Sequence, residues 1–257
     1  KGAMIFMPFL FLSPSTQDFN PYVTNGNEQF WMNRIADEME PYLRASGINF
    51  TRNNPAGSAA QSIRDSNAGD YDFHLSLHSN ASPEASAGRA RGVDIYYSPI
   101  SEPGLRMATI IVDNLKPIYP LPDKVRALTT VTIGEVRRTR APAVLCELGY
   151  HDNVEDEAWI TGNAEPIAAA LAESVCEYFG LPFLRPAERR EGTVVLTSGA
   201  LNLRAAPSYA APVYLQIPNG ETITVWGEYD NWYVVEYDGT FGYVRSEYLR
   251  LSGETVI

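Results

Sequence analysis

The sequence predicts an α/β domain, with a mostly parallel sheet flanked by helices, followed by a small all-β barrel. Along residues 4–180, apolar strand-like runs alternate with helical patterns, as in layered α/β folds. Beyond them, short β runs follow one another closely and are separated by turn residues, which is typical of a small barrel. We therefore expect an α/β domain over residues 1–184, a proline-bearing linker over 185–191, the barrel over 192–252 and a tail over 253–257.

Composition excludes two classes of partner. The 257 residues carry a formal net charge of −11, and nucleic-acid binding requires a basic surface, so we expect no nucleic-acid partner. No apolar run approaches the roughly 20 residues of a membrane helix, so we expect no membrane span. The apolar run at residues 5–12 contains Pro8 and lacks a basic flank, so we interpret it as a buried first strand and not as a signal peptide.

The order of elements in the first domain follows from hydrophobic periodicity. Helical spacing predicts helices at residues 28–46, 58–66, 103–115 and 163–179. Strands are predicted at residues 5–12, 48–51, 72–80, 92–97, 131–136 and 141–150.

The strand at residues 72–80 is the first candidate for a functional element. Apolar and polar residues alternate along it, so one face is expected in the core and the other carries His74, Ser76, His78 and Asn80. Sites in open parallel sheets gather at the carboxyl ends of the strands, which is where His78 falls. A structural histidine that is hydrogen-bonded at the sheet edge fits this stretch equally well.

The strand at residues 141–150 contains an acid, Glu147, inside an apolar run. Burying a carboxylate is costly unless it is paired or bound to a metal. This pattern indicates a functional or a salt-bridged glutamate.

Three motifs identify a family resemblance for the barrel. They are Leu-Asn-Leu-Arg at 201–204, Pro-Asn-Gly at 218–220 and Gly-Tyr-Val at 242–244. In this order they resemble the bacterial SH3-like domains of cell-wall enzymes, which implies binding to peptidoglycan or its peptides. The aromatic residues Trp226, Trp232 and Tyr243 fit a barrel core better than a ligand shelf, and packing against the catalytic domain is an alternative role for the barrel.

The first domain carries three more motifs in order. They are Glu28 at the start of the first helix, Ser-Leu-His-Ser-Asn at 76–80, and Pro-Ala-Val-Leu-Cys-Glu-Leu-Gly-Tyr at 142–150. Together they resemble the zinc-dependent N-acetylmuramoyl-L-alanine amidases. The resemblance covers nearly all of residues 4–180 and implies their phosphorylase/hydrolase-like fold, with Glu28 and His78 as zinc ligands.

One position departs from the family pattern. Thr16 stands where the family has its first histidine ligand, and a catalytic zinc usually needs three protein ligands and a water. His74 lies roughly 13 Å along the strand from His78, too far for both to bind one ion. His151, just past Glu147, is the predicted third ligand. A metal-poor site, or another ligand set that includes Gln17, remains open.

The resemblance also implies a reaction. A zinc-activated water, deprotonated by Glu147 as general base, would cleave the amide between N-acetylmuramic acid and L-alanine of the stem peptide. Asn80, Arg52 and Arg137 are the predicted substrate-binding residues, and surface ion pairs are an equal alternative for the two arginines. Peptidoglycan is thus the expected partner, and an extracellular or cell-wall location follows, with release at phage lysis also compatible.

Two other functions remain open. Loss of the first histidine favours an inactive peptidoglycan-binding protein that retains the amidase fold, whereas the retained Glu147 favours an enzyme. The weakest hypothesis is a cysteine nucleophile, with Cys146 activated by His78 or His151. Neighbouring residues of a strand face opposite sides, so Cys146 is expected to point away from Glu147. We expect Cys146 and Cys176 to be buried and reduced.

Overall fold

The computed structural model describes residues 8–252, which form two compact units. The first unit comprises Phe9–Glu40 and Phe50–Tyr178. The second comprises Pro8, Pro41–Asn49 and the described residues from Phe179 onward. The predicted linker at 185–191 and the domain limits around it stay predictions. Residues 5–7 of the predicted first strand, and the predicted tail at 253–257, lie outside the described residues.

The elements of the first sheet and its helices alternate along the chain, as the periodicity predicted. The strands are β1 Phe9–Pro14, β2 Asn49–Arg52, β3 Phe73–Asn80, β4 Val93–Tyr97, β5 Val125–Thr129 and β6 Ala143–Tyr150. The helices are α1 Glu28–Ala45, α2 Ala59–Ala68, α3 Glu102–Leu115, α4 Gly134–Arg137, α5 Val154–Gly162 and α6 Ala164–Phe179.

The six strands form one mixed sheet in the order β2-β1-β3-β6-β4-β5. β1 pairs with β3 and β3 with β6 in parallel, and β4 pairs with β5 in parallel, whereas β4 meets β6 antiparallel. The α/β fold class is therefore confirmed, with one antiparallel junction in a mostly parallel sheet. Because β1, β3 and β6 run together, their carboxyl ends meet at one edge.

Both faces of β3 are buried, as expected of a strand in the interior of a sheet. Seven of its eight residues are buried, including Phe73, Leu75 and Leu77 on one face. Helix α1 buries its apolar stripe in the core, and Met32, Ile35 and Met39 have no exposed surface.

One predicted strand was wrong, and one helix was not predicted. The strand predicted at 131–136 is instead a turn followed by α4, and β5 lies earlier in the chain. Thr130 explains the turn, because its Oγ1 accepts hydrogen bonds from the backbone N–H groups of Thr132 and Ile133. Helix α5 was missed, because its buried residues include the acids Asp156 and Glu157.

The second unit contains an antiparallel seven-stranded sheet in the order β13-β7-β10-β11-β12-β8-β9. Its strands are β7 Arg190–Val194, β8 Ala200–Arg204, β9 Val213–Pro218, β10 Thr222–Tyr229, β11 Trp232–Tyr237, β12 Thr240–Arg245 and β13 Leu249–Leu251. The predicted all-β barrel is confirmed. Trp232 and Tyr243 are buried, in agreement with a core role, whereas Trp226 is half-buried.

Within this second unit, the segment Pro41–Asn49 is tied to the barrel strands. Tyr243 donates from its hydroxyl to the carbonyl oxygen of Ser46 at 2.7 Å. The Asn49 side chain donates to the Phe241 carbonyl at 3.0 Å and accepts from the Phe241 N–H at 2.8 Å. Burial of all these groups makes their hydrogen bonds obligatory.

No helix in the described part of the chain, residues 8–252, is long and apolar enough to cross a membrane.

Gly227 lies where β10 shifts register against β11. A Cβ at this position would lie 2.3 Å from the carbonyl oxygen of Ala45, which is backbone and cannot rotate away. We expect Gly227→Ala to destabilise the protein by about 1–3 kcal/mol, measured by thermal and denaturant unfolding. The control is Gly162→Ala, because an added Cβ there meets nothing within 4 Å. Equal stability of the two variants would contradict the close approach.

Candidate functional site

The candidate site lies at the carboxyl edge formed by β1, β3 and β6 in the first unit. Register pairs His78 of β3 with Glu147 of β6, so these two residues are neighbours across the ladder. Glu28 opens α1 and is buried, with 1% of its surface exposed. The loop between β1 and α1 supplies Gln17 and Asn20 to the same place.

His78 is held between two glutamates. Its Nδ1 lies 2.8 Å from Oε1 of Glu28, and its Nε2 lies 3.2 Å from Oε2 of Glu135. All three side chains are buried. An ionised carboxylate only accepts hydrogen bonds, so both imidazole nitrogens are placed to donate.

Glu135, on the short helix α4, joins the two histidines of β3. Its Oε1 lies 3.2 Å from Nε2 of His74 and accepts a hydrogen bond from the Ser13 hydroxyl at 2.6 Å. His74 also lies 2.9 Å from the hydroxyl oxygens of Ser66 and Ser76. The carboxylate of Glu135 therefore bridges the side chains of His74 and His78.

The paired charges shift the pKa values in opposite directions. Burial disfavours a charge on His78, but hydrogen bonds to Glu135 and Glu28 outweigh burial and raise its pKa to about 10. Burial likewise opposes ionisation of Glu135, yet hydrogen bonds from His74 and His78 hold its pKa well below the usual range. For Glu28, the hydrogen bond with His78 overcomes burial and lowers the pKa.

Glu147 differs from the other two glutamates because its Oε2 is buried and accepts no hydrogen bond from the described residues. It lies between His78 on β3 and Asp94 on β4 in the sheet register. Burial raises the pKa of Glu147 to about 7, although the positive charge of His78 acts to lower it. Its carboxyl group is thus poised to take up and release a proton near neutral pH.

His151, the predicted third zinc ligand, is hydrogen-bonded to Ser79. Its Nδ1 lies 2.9 Å from the carbonyl oxygen and 3.1 Å from the hydroxyl oxygen of Ser79. Its ring stacks on Tyr22, with centroids 5.6 Å apart, and the Tyr22 hydroxyl donates to the same Ser79 hydroxyl. These contacts position the loop after β6 against the end of β3. The ligand role of His151 stays a prediction.

Gln17 and Asn20 surround the Glu28–His78 pair. Nε2 of Gln17 lies 3.2 Å from Nδ1 of His78, and Asn20 donates to Oε2 of Glu28 at 2.6 Å. Asn20 also donates to Oε1 of Gln17 at 3.2 Å. The loop that follows β1 thus supplies two amides to the two predicted ligands, Glu28 and His78.

The zinc prediction can be tested against this donor set. Among residues 8–252 no group of three or more His, Cys, Asp and Glu side chains is placed to hold a metal ion. Of the predicted ligands, Glu28 and His78 are together, but each nitrogen of His78 faces a carboxylate. These residues do not fit a three-ligand zinc site.

The predicted substrate-binding residues are distributed around the same edge. Asn80 ends β3, and its Oδ1 accepts from the N–H of Ala81. Arg52 forms ion pairs with Asp37 and Glu40, which agrees with the alternative of a surface ion pair. Arg137 is exposed on α4, two residues from Glu135.

Cys146 is completely buried, and burial raises the pKa of its thiol strongly. A nucleophilic cysteine requires an accessible thiolate, so these properties argue against the cysteine mechanism. Cys146 and Cys176 are both buried and neither forms a disulfide, as predicted.

The candidate site combines glutamates and a histidine at the carboxyl edge of a mixed α/β sheet. The same chain contains an SH3-like sheet. Together these features indicate the fold of a bacterial cell-wall enzyme. Comparison with protein families agrees. The family model described as N-acetylmuramoyl-L-alanine amidase matches residues 16–177, and the model described as bacterial SH3 domain matches residues 199–250. The chain belongs to the N-acetylmuramoyl-L-alanine amidase family, which confirms both resemblances.

Solved structures share the fold of the first domain. The catalytic domain of CwlV, an amidase from Bacillus (Paenibacillus) polymyxa var. colistinus, is 18% identical with a TM-score of 0.61, covering 68% of this chain and 100% of that chain. The amidase AmiC2 of Nostoc punctiforme is 16% identical with a TM-score of 0.57, covering 67% and 97%. An amidase from Clostridium difficile 630 is 17% identical with a TM-score of 0.57, covering 68% and 97%. No curated protein matches the sequence.

Ionisation of Glu147 is expected to lower the stability of the protein, because its buried Oε2 accepts no hydrogen bond from the described residues. A raised pKa means that the folded state favours the protonated form, so ionisation costs stability as the pH rises from 4.5 to beyond about 7. Glu147→Gln removes this cost. We expect it to be more stable than the wild type by about 1–3 kcal/mol at pH 8, and the gain to vanish near pH 4.

The measurement is thermal or denaturant unfolding of both proteins across this pH range. Glu173→Gln, on the exposed side of α6, is the matched control and should give the same difference at both pH values. A constant gain for Glu147→Gln across the range would show that Glu147 is not destabilised by its charge.

Proposed function

We propose that this protein is a peptidoglycan hydrolase that cleaves the amide between N-acetylmuramic acid and the L-alanine of the stem peptide. The observation that carries the proposal is Glu147, a carboxyl with an unpaired oxygen at the functional edge and a pKa near 7. Membership of the amidase family supports the choice of bond. The SH3-like domain supports attachment to the cell wall, and hence a cell-wall or extracellular location.

Glu147 supplies the proton transfers in this proposal. As the ionised base, it takes a proton from a water whose oxygen attacks the lactyl carbonyl carbon. The C–N bond then breaks, and Glu147 returns the proton to the nitrogen, which leaves as the free amino group of L-alanine. The products are a muramic carboxylic acid and a free stem peptide.

His78 lies on the neighbouring strand, and its positive charge favours the ionised form of Glu147 that acts as the base. The carboxylates of Glu28 and Glu135 hold the imidazole in place, so its position does not depend on the substrate. The described donors do not fit a three-ligand zinc site, and the proposed proton transfers need only Glu147 and water.

Substrate recognition is proposed for exposed residues near the edge. Arg137 is the better candidate for a carboxylate of the stem peptide, because Arg52 is already paired with Asp37 and Glu40. Asn80, at the end of β3, is proposed to contact the peptide backbone.

A second candidate function is peptidoglycan binding without hydrolysis. The hydrogen bonds that occupy both nitrogens of His78 and both oxygens of Glu28 favour it, because they leave these groups little freedom to interact with a substrate. The amidase fold would then serve as a receptor for the glycan and its stem peptide.

Digestion of purified peptidoglycan, followed by mass spectrometry, tests the proposal. We expect released stem peptides with free L-alanine amino ends, at a rate that rises with pH as Glu147 ionises around pH 7. If no stem peptide is released and the protein still sediments with the wall, the hydrolase hypothesis is wrong and the peptidoglycan-binding function is favoured.

Glu147→Gln tests the role of the carboxyl group directly. We expect it to lower the rate of release by about 10²–10⁴-fold, because general-base catalysis typically contributes that much. Sedimentation with the wall should be unchanged, and Glu173→Gln should match the wild type in both assays. Release at the wild-type rate by Glu147→Gln would remove Glu147 from the mechanism.

A further inference from the structure

The hydrogen-bond partners of His78 leave neither nitrogen available to a metal. Nδ1 lies 2.8 Å from a Glu28 oxygen and Nε2 lies 3.2 Å from a Glu135 oxygen. A metal-binding imidazole presents a lone pair on one nitrogen, and that nitrogen carries no hydrogen. The shortest contact of each nitrogen is with a carboxylate, so both are arranged as donors, and the Gln17 amide nitrogen, 3.2 Å from Nδ1, then lies beside this N–H without donating to it.

Glu28 is occupied in the same way. Its Oε1 is the partner of His78, and its Oε2 accepts a hydrogen bond of 2.6 Å from Asn20. Asn20 in turn donates to Gln17, whose Nε2 lies 3.2 Å from Nδ1 of His78. Two amides therefore close the side of the Glu28–His78 pair that faces the loop after β1.

Glu135 completes this arrangement from the opposite side. It is 4% exposed, and its two oxygens contact three different side chains, those of Ser13, His74 and His78. A buried carboxylate without partners would be strongly destabilising, so the positions of both histidines and of Glu135 depend on one another. Each of the two carboxylates, Glu28 and Glu135, is in direct contact with the imidazole of His78.

We propose that the hydrogen-bonded chain Glu28–His78–Glu135–His74 takes the place of the metal in this chain, so that the centre binds no zinc, and that Glu135 is the positioning residue which makes this possible. The positive charge that a zinc ion would bring to Glu28 is supplied instead by His78. This inference concerns the same site as the proposed function, but zinc binding is measured separately from turnover.

The first test is zinc binding by the wild-type full chain. The protein is incubated with excess zinc at neutral pH, desalted, and its metal content is measured by mass spectrometry. We expect less than about 0.1 zinc per chain, and a thermal midpoint that neither zinc nor a chelator shifts, because a metal that binds the folded state would raise it. One zinc per chain that is lost in Glu28→Gln would overturn the proposal.

The second test uses the imidazole nitrogen signals in NMR, since the chain contains three histidines. In ¹⁵N-histidine-labelled wild type, added zinc should leave the His78 signals in place, and a zinc-induced shift of these signals would contradict the proposal. Glu135→Gln should shift the signals of both His74 and His78 and leave those of His151 unchanged, because His151 is bonded to Ser79. Unchanged signals for His74 and His78 would remove Glu135 from its positioning role.

Activity does not enter either readout, so the two proposals can fail independently. Hydrolysis that a chelator abolishes would support the proposed function and overturn the metal-free centre. Hydrolysis that withstands the chelator would support both. A chain without zinc and without hydrolysis would support the metal-free centre and favour the binding function.

Discussion

The contact of His78 with two buried carboxylates is the interaction on which the rest of the site depends. Each carboxylate would be costly to bury alone, and each comes from a different part of the chain: Glu28 from the start of α1 and Glu135 from α4. The start of α1, the end of β3 and helix α4 must therefore come together before all three charges are paired. Hydrogen bonds from Asn20, in the loop after β1, and from Ser13, in β1 itself, further stabilise the two carboxylates.

The glutamates of the site differ in their hydrogen-bond partners, and their pKa values shift in opposite directions as a result. Glu135 contacts two imidazoles and a hydroxyl, and its pKa falls, whereas Glu147 has an unpaired oxygen on the neighbouring strand, and burial raises its pKa to about 7. Carboxyl groups whose pKa values are pushed apart in this way can take different roles, one as a fixed charge and the other as a proton carrier. The pairing of His78 makes this division possible, because its charge is already balanced by Glu28 and Glu135.

Much of the fold was predictable because it depends on local periodicity. The alternation in β3 and the apolar run of β6 identified the two strands that carry His78 and Glu147, and burial cost alone identified Glu147 as unusual. Glu135 was missed, because residues 131–136 were interpreted as a strand, although an acid among apolar residues is the same signal. Its contacts with His74 and His78 join residues about 60 positions apart, and neither periodicity nor spacing predicts them.

Thr16 and Glu135 are connected by the same electrostatic requirement. Without a histidine at position 16, the buried carboxylate of Glu28 still needs a positive partner, and His78 can be that partner only when it carries a proton on both nitrogens. The second N–H then needs an acceptor of its own, which Glu135 provides at 3.2 Å. In this chain, the absence of a histidine at position 16 is thus accompanied by an acid on the other side of the imidazole. The family fold does not depend on this exchange, because apolar strands and helices maintain it, and so sequence motifs can match a family while the charges at the centre of the site differ.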